Sequence, residues 1–412
     1  MTLCSYIVIF VFHHLSPTAM ADKFFQDDAS ISQLANANTQ FTLDLYKKVA
    51  NSADNIFLSP ISISAALAMT RLGARGNTES EMDQVMKWTT FGDKVHDAFE
   101  DYLKVLNAAE SSYTLTIANR IFVYNKLKLL DEFVRKTGKH YKSHTVLADF
   151  AGNPDGEKKV INEWVEKQTN GKIRDIIPGS IDPLTRLILV NAIYFKGKWE
   201  QKFDPVDTVR ESFKTSSGAD VIVDMMKMVK KFRIGRSEKL QCQVLELPYV
   251  QKDISMFILL PFERDAVSRL EHNLNNENLK AALSEIWKET VDITLPKFVL
   301  ESNFALEKIL PSMGMVDAFD RSRANFSGMA GSTDLYISHI THKAFLDVNE
   351  EGSEAAAATG VRIQTRSLPI IHPFIADHPF VFLVRDNRAD IILFVGKLGH
   401  PPAVPVGLKQ EL

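Results

Sequence analysis

Cysteine is nearly absent: the 412 residues contain two, Cys4 and Cys242. A disulfide framework is therefore excluded as the source of stability. A large core must supply it, and a composition of 45% hydrophobic and 24% charged residues is sufficient for one. Charge of one sign is not in excess, since 48 basic against 51 acidic residues leave a net of −3. That balance excludes wholesale binding to nucleic acid or to a membrane surface. Residues 1–21 contain no charged group at all. There, Tyr6 to Phe12 is an apolar run and Ala19-Met20-Ala21 offers small residues at a peptidase-like spacing, although His13-His14 interrupts the run and no basic residue opens it. The pattern is that of a signal peptide over 1–21, too short to span a bilayer. A secreted, extracellular protein is the expectation. Cys4 would leave with the leader, and Cys242 would have no internal partner.

Internal repeats and Pro/Gly/Ser-rich linkers are also missing, so one domain over 22–400 with a tail at 401–412 is expected. The familiar catalytic patterns do not occur: no G-x-S-x-G, no H-E-x-x-H, no C-x-x-C, no G-x-G-x-x-G and no phosphate-cradling loop. The 11 histidines show no metal-ligand spacing. No metal site, no cofactor and no enzymatic activity are expected. A Ser-His-Asp set assembled only by the fold stays open as a hydrolase alternative.

What is present is helix first and strand later, the order of an α+β protein. Leu34, Phe41, Leu45 and Val49 recur near helical spacing. Ser59-Pro60 reads as a helix start with Ser59 as cap, and Gly73 as its stop. Val160, Ile161, Trp164 and Val165 mark another helix, ending at Asn170-Gly171. Leu187 to Phe195 is apolar almost throughout, as in a central strand covered on both faces. Thr341 to Asn349 is a further strand. Val381 to Val384 and Ile391 to Val395 flank the polar turn Asp386 to Asp390 as a hairpin.

Residues 350–366 do not read as ordinary structure. Odd positions from Ser353 (Ala355, Ala357, Thr359, Val361, Ile363, Thr365) are small or apolar, while Glu354, Arg362 and Arg366 fall on even ones. That is the period-two pattern of a half-buried strand. Its first half is nevertheless rich in Ala and Gly, which are poor strand formers. Such a segment can become a strand without being driven to be one.

Four segments then carry a family resemblance. They are Asn55 to Ile63, Leu189 to Trp199, His342-Lys343-Ala344 leading into Glu350-Glu351-Gly352-Ser353, and Phe374 to Phe382. In this order they resemble the serpins, the match covering nearly all of residues 30–400. The resemblance implies helices packed around three β-sheets, with a metastable five-stranded central sheet and an exposed reactive-centre loop at 350–373. It implies a suicide-substrate inhibitor whose cleaved loop inserts into the sheet and traps the acylated protease; a non-inhibitory binding or carrier serpin is the alternative. It further implies a hinge at Glu350, Gly352, Ser353, Ala355, Ala357 and Thr359, a polar shutter of Ser59, Ser62, Asn191 and His342, and Trp199 at the breach, where plain core packing is the competing reading.

In the family the cleaved residue usually lies seventeenth from the hinge Glu, and counting from Glu350 reaches Arg366. A guanidinium suits the carboxylate of a trypsin-like specificity pocket, and Ser367 is small beyond the bond, an antithrombin-like Arg-Ser pair. A trypsin-like serine protease is thus the expected partner of a monomer. Arg362 is the rival site, too early in the loop to yield a trapping strand. Asn325-Phe326-Ser327 is the lone glycosylation sequon. Glycosaminoglycan binding through 95–109 is not expected, because Asp97, Glu100 and Asp101 fall there. Arg135, Lys136, Lys139 and Lys142, and likewise Lys227, Lys230, Lys231 and Arg233, read as solvated faces. Lys409-Gln410-Glu411-Leu412 resembles the ER-retrieval tetrapeptide, which leaves the ER lumen as the alternative location.

Overall fold

The computed structural model describes residues 29–51, 53–108, 113–332, 334–352 and 370–402. Helix Ala29–Val49 comes first, and its Leu34, Phe41, Leu45 and Val49 are buried as the spacing requires. The strands, in chain order, begin with β1 (Ile56–Leu58), β2 (Tyr113–Tyr124), β3 (Val146–Ala148) and β4 (Leu187–Gly197). They continue with β5 (Val209–Lys214), β6 (Asp220–Ser237), β7 (Cys242–Pro248), β8 (Ile254–Pro261), β9 (Trp287–Pro296) and β10 (Phe298–Ala305). The last are β11 (His339–Val348), β12 (Ile371–Ile375), β13 (Phe380–Asp386) and β14 (Ile391–Leu398). No helix among the described residues is long and apolar enough to cross a membrane.

One sheet has five strands in the order β10-β11-β4-β2-β3. Its middle pairing, β11 on β4, is parallel, while β10 on β11 and β2 on β4 are antiparallel. The period-two rule explains how β4 is buried on both faces. Leu187, Leu189, Ile193 and Phe195 enter the main core; Ile188, Val190 and Ala192 enter a second cluster with Ile161 and Val165 of helix Pro154–Gln168. Asn191 takes its place among the first set, the one polar side chain in that stripe.

The remaining strands form a continuous path, β1-β14-β13-β8-β7-β6-β9-β12, with β5 also on β6. The 18-residue β6 explains the continuity. Its early residues pair β5, its centre and end pair β9, and its last five pair β7, so a single long strand joins what would otherwise be two sheets. The hairpin β13–β14 forms as expected. Its turn is not wholly solvated: the Arg388 side chain is 6% exposed and donates to Asp386 Oδ2 at 2.7 Å and Tyr113 OH at 3.3 Å.

Gly235 lies in β6 where an added Cβ would sit 2.0 Å from the backbone oxygen of Glu285. Gly235→Ala must therefore part β6 from the end of helix Asn276–Ser284, at a cost of about 1–3 kcal/mol. A urea titration followed by near-UV circular dichroism is expected to show an earlier midpoint; an unchanged one would mean that the turn yields freely.

Candidate functional site at the seam of the five-stranded sheet

Helix Pro60–Arg71 lies against the centre of this sheet, with Pro60 in its first turn. Ser59 occupies the N-cap position but makes no side-chain cap. Its Oγ instead donates to Leu393 O of β14 at 2.7 Å. The Ser59 backbone N–H donates to His342 Nε2 at 3.1 Å. The consequence is chemical: a backbone N–H can only donate, so Nε2 carries the lone pair and the imidazole proton resides on Nδ1. Nδ1–H then donates to Asn191 Oδ1. The Asn191 amide in turn donates to Ser62 Oγ and Asn119 Oδ1, and Asn119 Nδ2 donates to Ser62 O at 3.2 Å.

The chain of donors follows the register of three adjacent strands. His342 of β11 pairs with Asn191 of β4, which pairs with Asn119 of β2. Ser59, Ser62, Asn191 and His342 are all essentially inaccessible. Burial pushes the His342 pKa down to about 3, so the ring is neutral. The four residues expected together are thus brought together. Asn119 is the member the sequence reading missed, and its signal was available: it sits at the same inward parity of β2 as Ile121 and Val123.

At its end β11 runs into a turn that is fixed on every side. Glu350 is 7% exposed. Its carboxylate accepts from Thr208 Oγ1 at 2.8 Å and pairs with Lys297 at 3.0 Å, and its carbonyl accepts from Phe203 N–H. Burial raises the pKa of this carboxyl, but the bonds from Lys297 and Thr208 outweigh burial and hold it below the usual range. Trp199 is buried, stacks on Tyr249 at 4.4 Å, and donates from Nε1 to Asn349 O and from its backbone to Glu351 O. Both of its competing readings, core packing and a position at the sheet's end, describe the same contacts. Gly352 has φ +84°, and a Cβ there would lie 2.4 Å from Trp199 N. Only glycine fits. The expected reactive bond Arg366-Ser367, its rival Arg362, and Ser353, Ala355, Ala357 and Thr359 lie outside the described residues, as do 1–28 and 403–412.

Asn325 is half-buried in a packed turn, its N–H bound to Thr78 Oγ1 and its Oδ1 accepting from Ser327 N–H. Cys242 is buried and free, and burial pushes its thiol up to about 12. In helix Lys94–Ala108, Lys104 is held by Glu100 and Asp101. Lys136, Lys227 and Arg233 likewise have carboxylate partners in Glu132, Glu211 and Glu246. The structure also gathers Asp97, Glu100 and His140, a set that linear spacing did not disclose.

Comparison with known proteins places this geometry. The family model for serpins (serine protease inhibitors) matches residues 36–401. Leukocyte elastase inhibitor of Bos taurus is 41% identical over 385 residues, covering 90% of this chain and all of the relative. Serpin B11 of Homo sapiens is 38% identical over 392 residues with the same coverage. The structure of uncleaved ovalbumin superposes with a TM-score of 0.82 at 30% identity, over 90% of this chain and all of that one. The chain belongs to the serpin family of serine protease inhibitors.

One expectation is corrected by these relatives. They are intracellular clade B serpins, which contradicts the secreted, extracellular assignment.

The neutral His342 makes a pH prediction. In the unfolded chain the ring titrates near its ordinary value of 6.5, and in the fold near 3. Between these values only the unfolded chain takes up the proton, so stability is full above about 6.5 and falls as pH drops towards 3, by up to ~1.4 kcal/mol per pH unit for this group. Buried His96, held low by burial and Arg71, acts in the same direction. Urea midpoints at pH 7 and pH 5 should therefore differ less in His342→Gln than in the unaltered protein; an identical drop in both would remove His342 as a titrating group.

Proposed function

We propose that the protein is a suicide-substrate inhibitor of Arg-specific, trypsin-like serine proteases, with Arg366-Ser367 as the scissile bond. The observation that carries the reading is the closed parallel seam of β11 and β4, with the chain turning back at Glu350–Gly352 just beyond it. A strand formed by residues after this turn and placed in the seam runs against β11, and therefore against β4 as well. Insertion then replaces one parallel ladder by two antiparallel ones, which are slightly more stable per residue. The net gain is about one ladder of a dozen hydrogen bonds at ~1 kcal/mol each, with burial of the odd-numbered side chains in addition. Ser353 to Arg366 would extend about 45 Å, enough to carry an acylated protease along the sheet.

The polar chain from Ser59 to Asn119 acts in this reading as the latch that insertion must open, and Trp199, Glu350 and Gly352 as the fixed start of the moving segment. Ser353, Ala355 and Ala357 are uncharged and small, so their entry leaves no unpaired charge in the sheet. The Bos taurus relative is named for leukocyte elastase; Arg366 gives this chain a different preference, because a fully charged side chain matches a carboxylate-based pocket.

Incubation with trypsin should give an SDS-resistant covalent complex, and N-terminal sequencing of the released fragment should begin Ser-Leu-Pro-Ile. Arg366→Ala should abolish the complex, and Arg366→Phe should move preference to chymotrypsin. A fragment beginning at Ile363 would overturn the assignment, and no complex with any protease would favour a binding or carrier serpin.

Ser353→Arg or Ala355→Arg places a charge where the strand must enter. Cleavage should persist while trapping falls at least tenfold, read as the ratio of cleaved to complexed inhibitor on a denaturing gel. Unaltered complex yield in both variants would sink the insertion mechanism.

A further inference from the structure

Asp97 and Glu100 stand three residues apart on helix Lys94–Ala108, a spacing that puts both on one face. His140, near the end of helix Asp131–Tyr141, meets them from the packed neighbour. One ligand atom from each lies within 4.8 Å of the other two. His140 is 8% exposed. Its Nδ1 is 3.0 Å from Glu100 Oε2 and 3.6 Å from Asp97 Oδ1, yet it makes no aligned hydrogen bond to either. A buried ring nitrogen set between two carboxylates without an aligned hydrogen bond is an arrangement that a cation bridging all three would satisfy.

We propose that Asp97, Glu100 and His140 form a binding site for zinc or a similar divalent transition ion. An imidazole nitrogen in the set selects against magnesium and calcium, which prefer oxygen alone. Three protein ligands leave a fourth position for water, supplied from the adjoining cavity of about 420 Å³ that Glu100 and His140 line. Lys104 holds the other carboxylate oxygen of Glu100, Oε1, and so leaves Oε2 to the ion. Lys139 pairs loosely, at 3.7 and 3.8 Å, with the same Glu100 Oε2 and Asp97 Oδ1, and its half-exposed side chain must swing outward when the ion enters. An ion there ties two helices together and stabilises the folded chain by mass action.

The test uses the full chain, stripped with chelator and titrated calorimetrically with zinc chloride, with cobalt(II) absorption as a second readout. A site of micromolar affinity is expected, with a visible cobalt band and no response to magnesium chloride. His140→Ala and the milder Glu100→Gln should each weaken zinc at least tenfold and remove the band, with circular dichroism unchanged. His144→Ala, on the same cavity but outside the ligand set, should leave both intact. Unchanged affinity in Glu100→Gln and His140→Ala, or no zinc binding by the unaltered protein, overturns the site.

Discussion

A single buried backbone N–H, that of Ser59, sets the polarity of everything at the centre of the five-stranded sheet. The Ser59 hydroxyl donates to Leu393 O, and its backbone amide faces β11. Only a lone pair can accept from it, and His342 Nε2 provides one. From that point no choice remains: the ring proton must be on Nδ1, Asn191 must present oxygen to it, and the Asn191 amide must point to Ser62 and Asn119. A protonated His342 would put a second donor against the Ser59 N–H, an arrangement a buried site cannot satisfy.

Local patterning made much of this legible. The apolar run of β4 identified a strand covered on both faces, while the place of Asn191 in a polar shutter came from the family resemblance. The hairpin β13–β14 and the helix Ala29–Val49 followed from the same rules. Asn119 was equally visible by parity but was passed over, because its strand is less uniformly apolar than β4. The partners of Glu350 were not visible: Thr208 and Lys297 lie far away in sequence, and only the fold decides which cation meets which carboxylate. The same holds for Asp97, Glu100 and His140, where i,i+3 spacing supplied two members and helix packing the third. The sharing of β6 among β5, β7 and β9 was not legible for a different reason, since strand propensity says where a strand runs but not which neighbours share it.

The position of the polar pair also bears on where this sheet can part. β2 on β4 pairs over eleven residues antiparallel, and β10 on β11 over eight. β11 on β4 pairs over eight in parallel, the weaker mode, and it alone of these three holds a histidine–asparagine bond across the strands where apolar packing would otherwise be. A hydrogen bond that is exchanged for equivalent bonds to an entering strand costs little to break, whereas interdigitated apolar side chains would have to be separated first. Buried polar groups cross the β4–β2 pairing as well, but only at β11–β4 do they coincide with the parallel mode, which keeps the seam specific in register while leaving it the easiest of these pairings to open. In the proposed mechanism that is the property the inhibitor depends on: a sheet closed enough to keep its loop outside, and divisible at one line when the loop is cut.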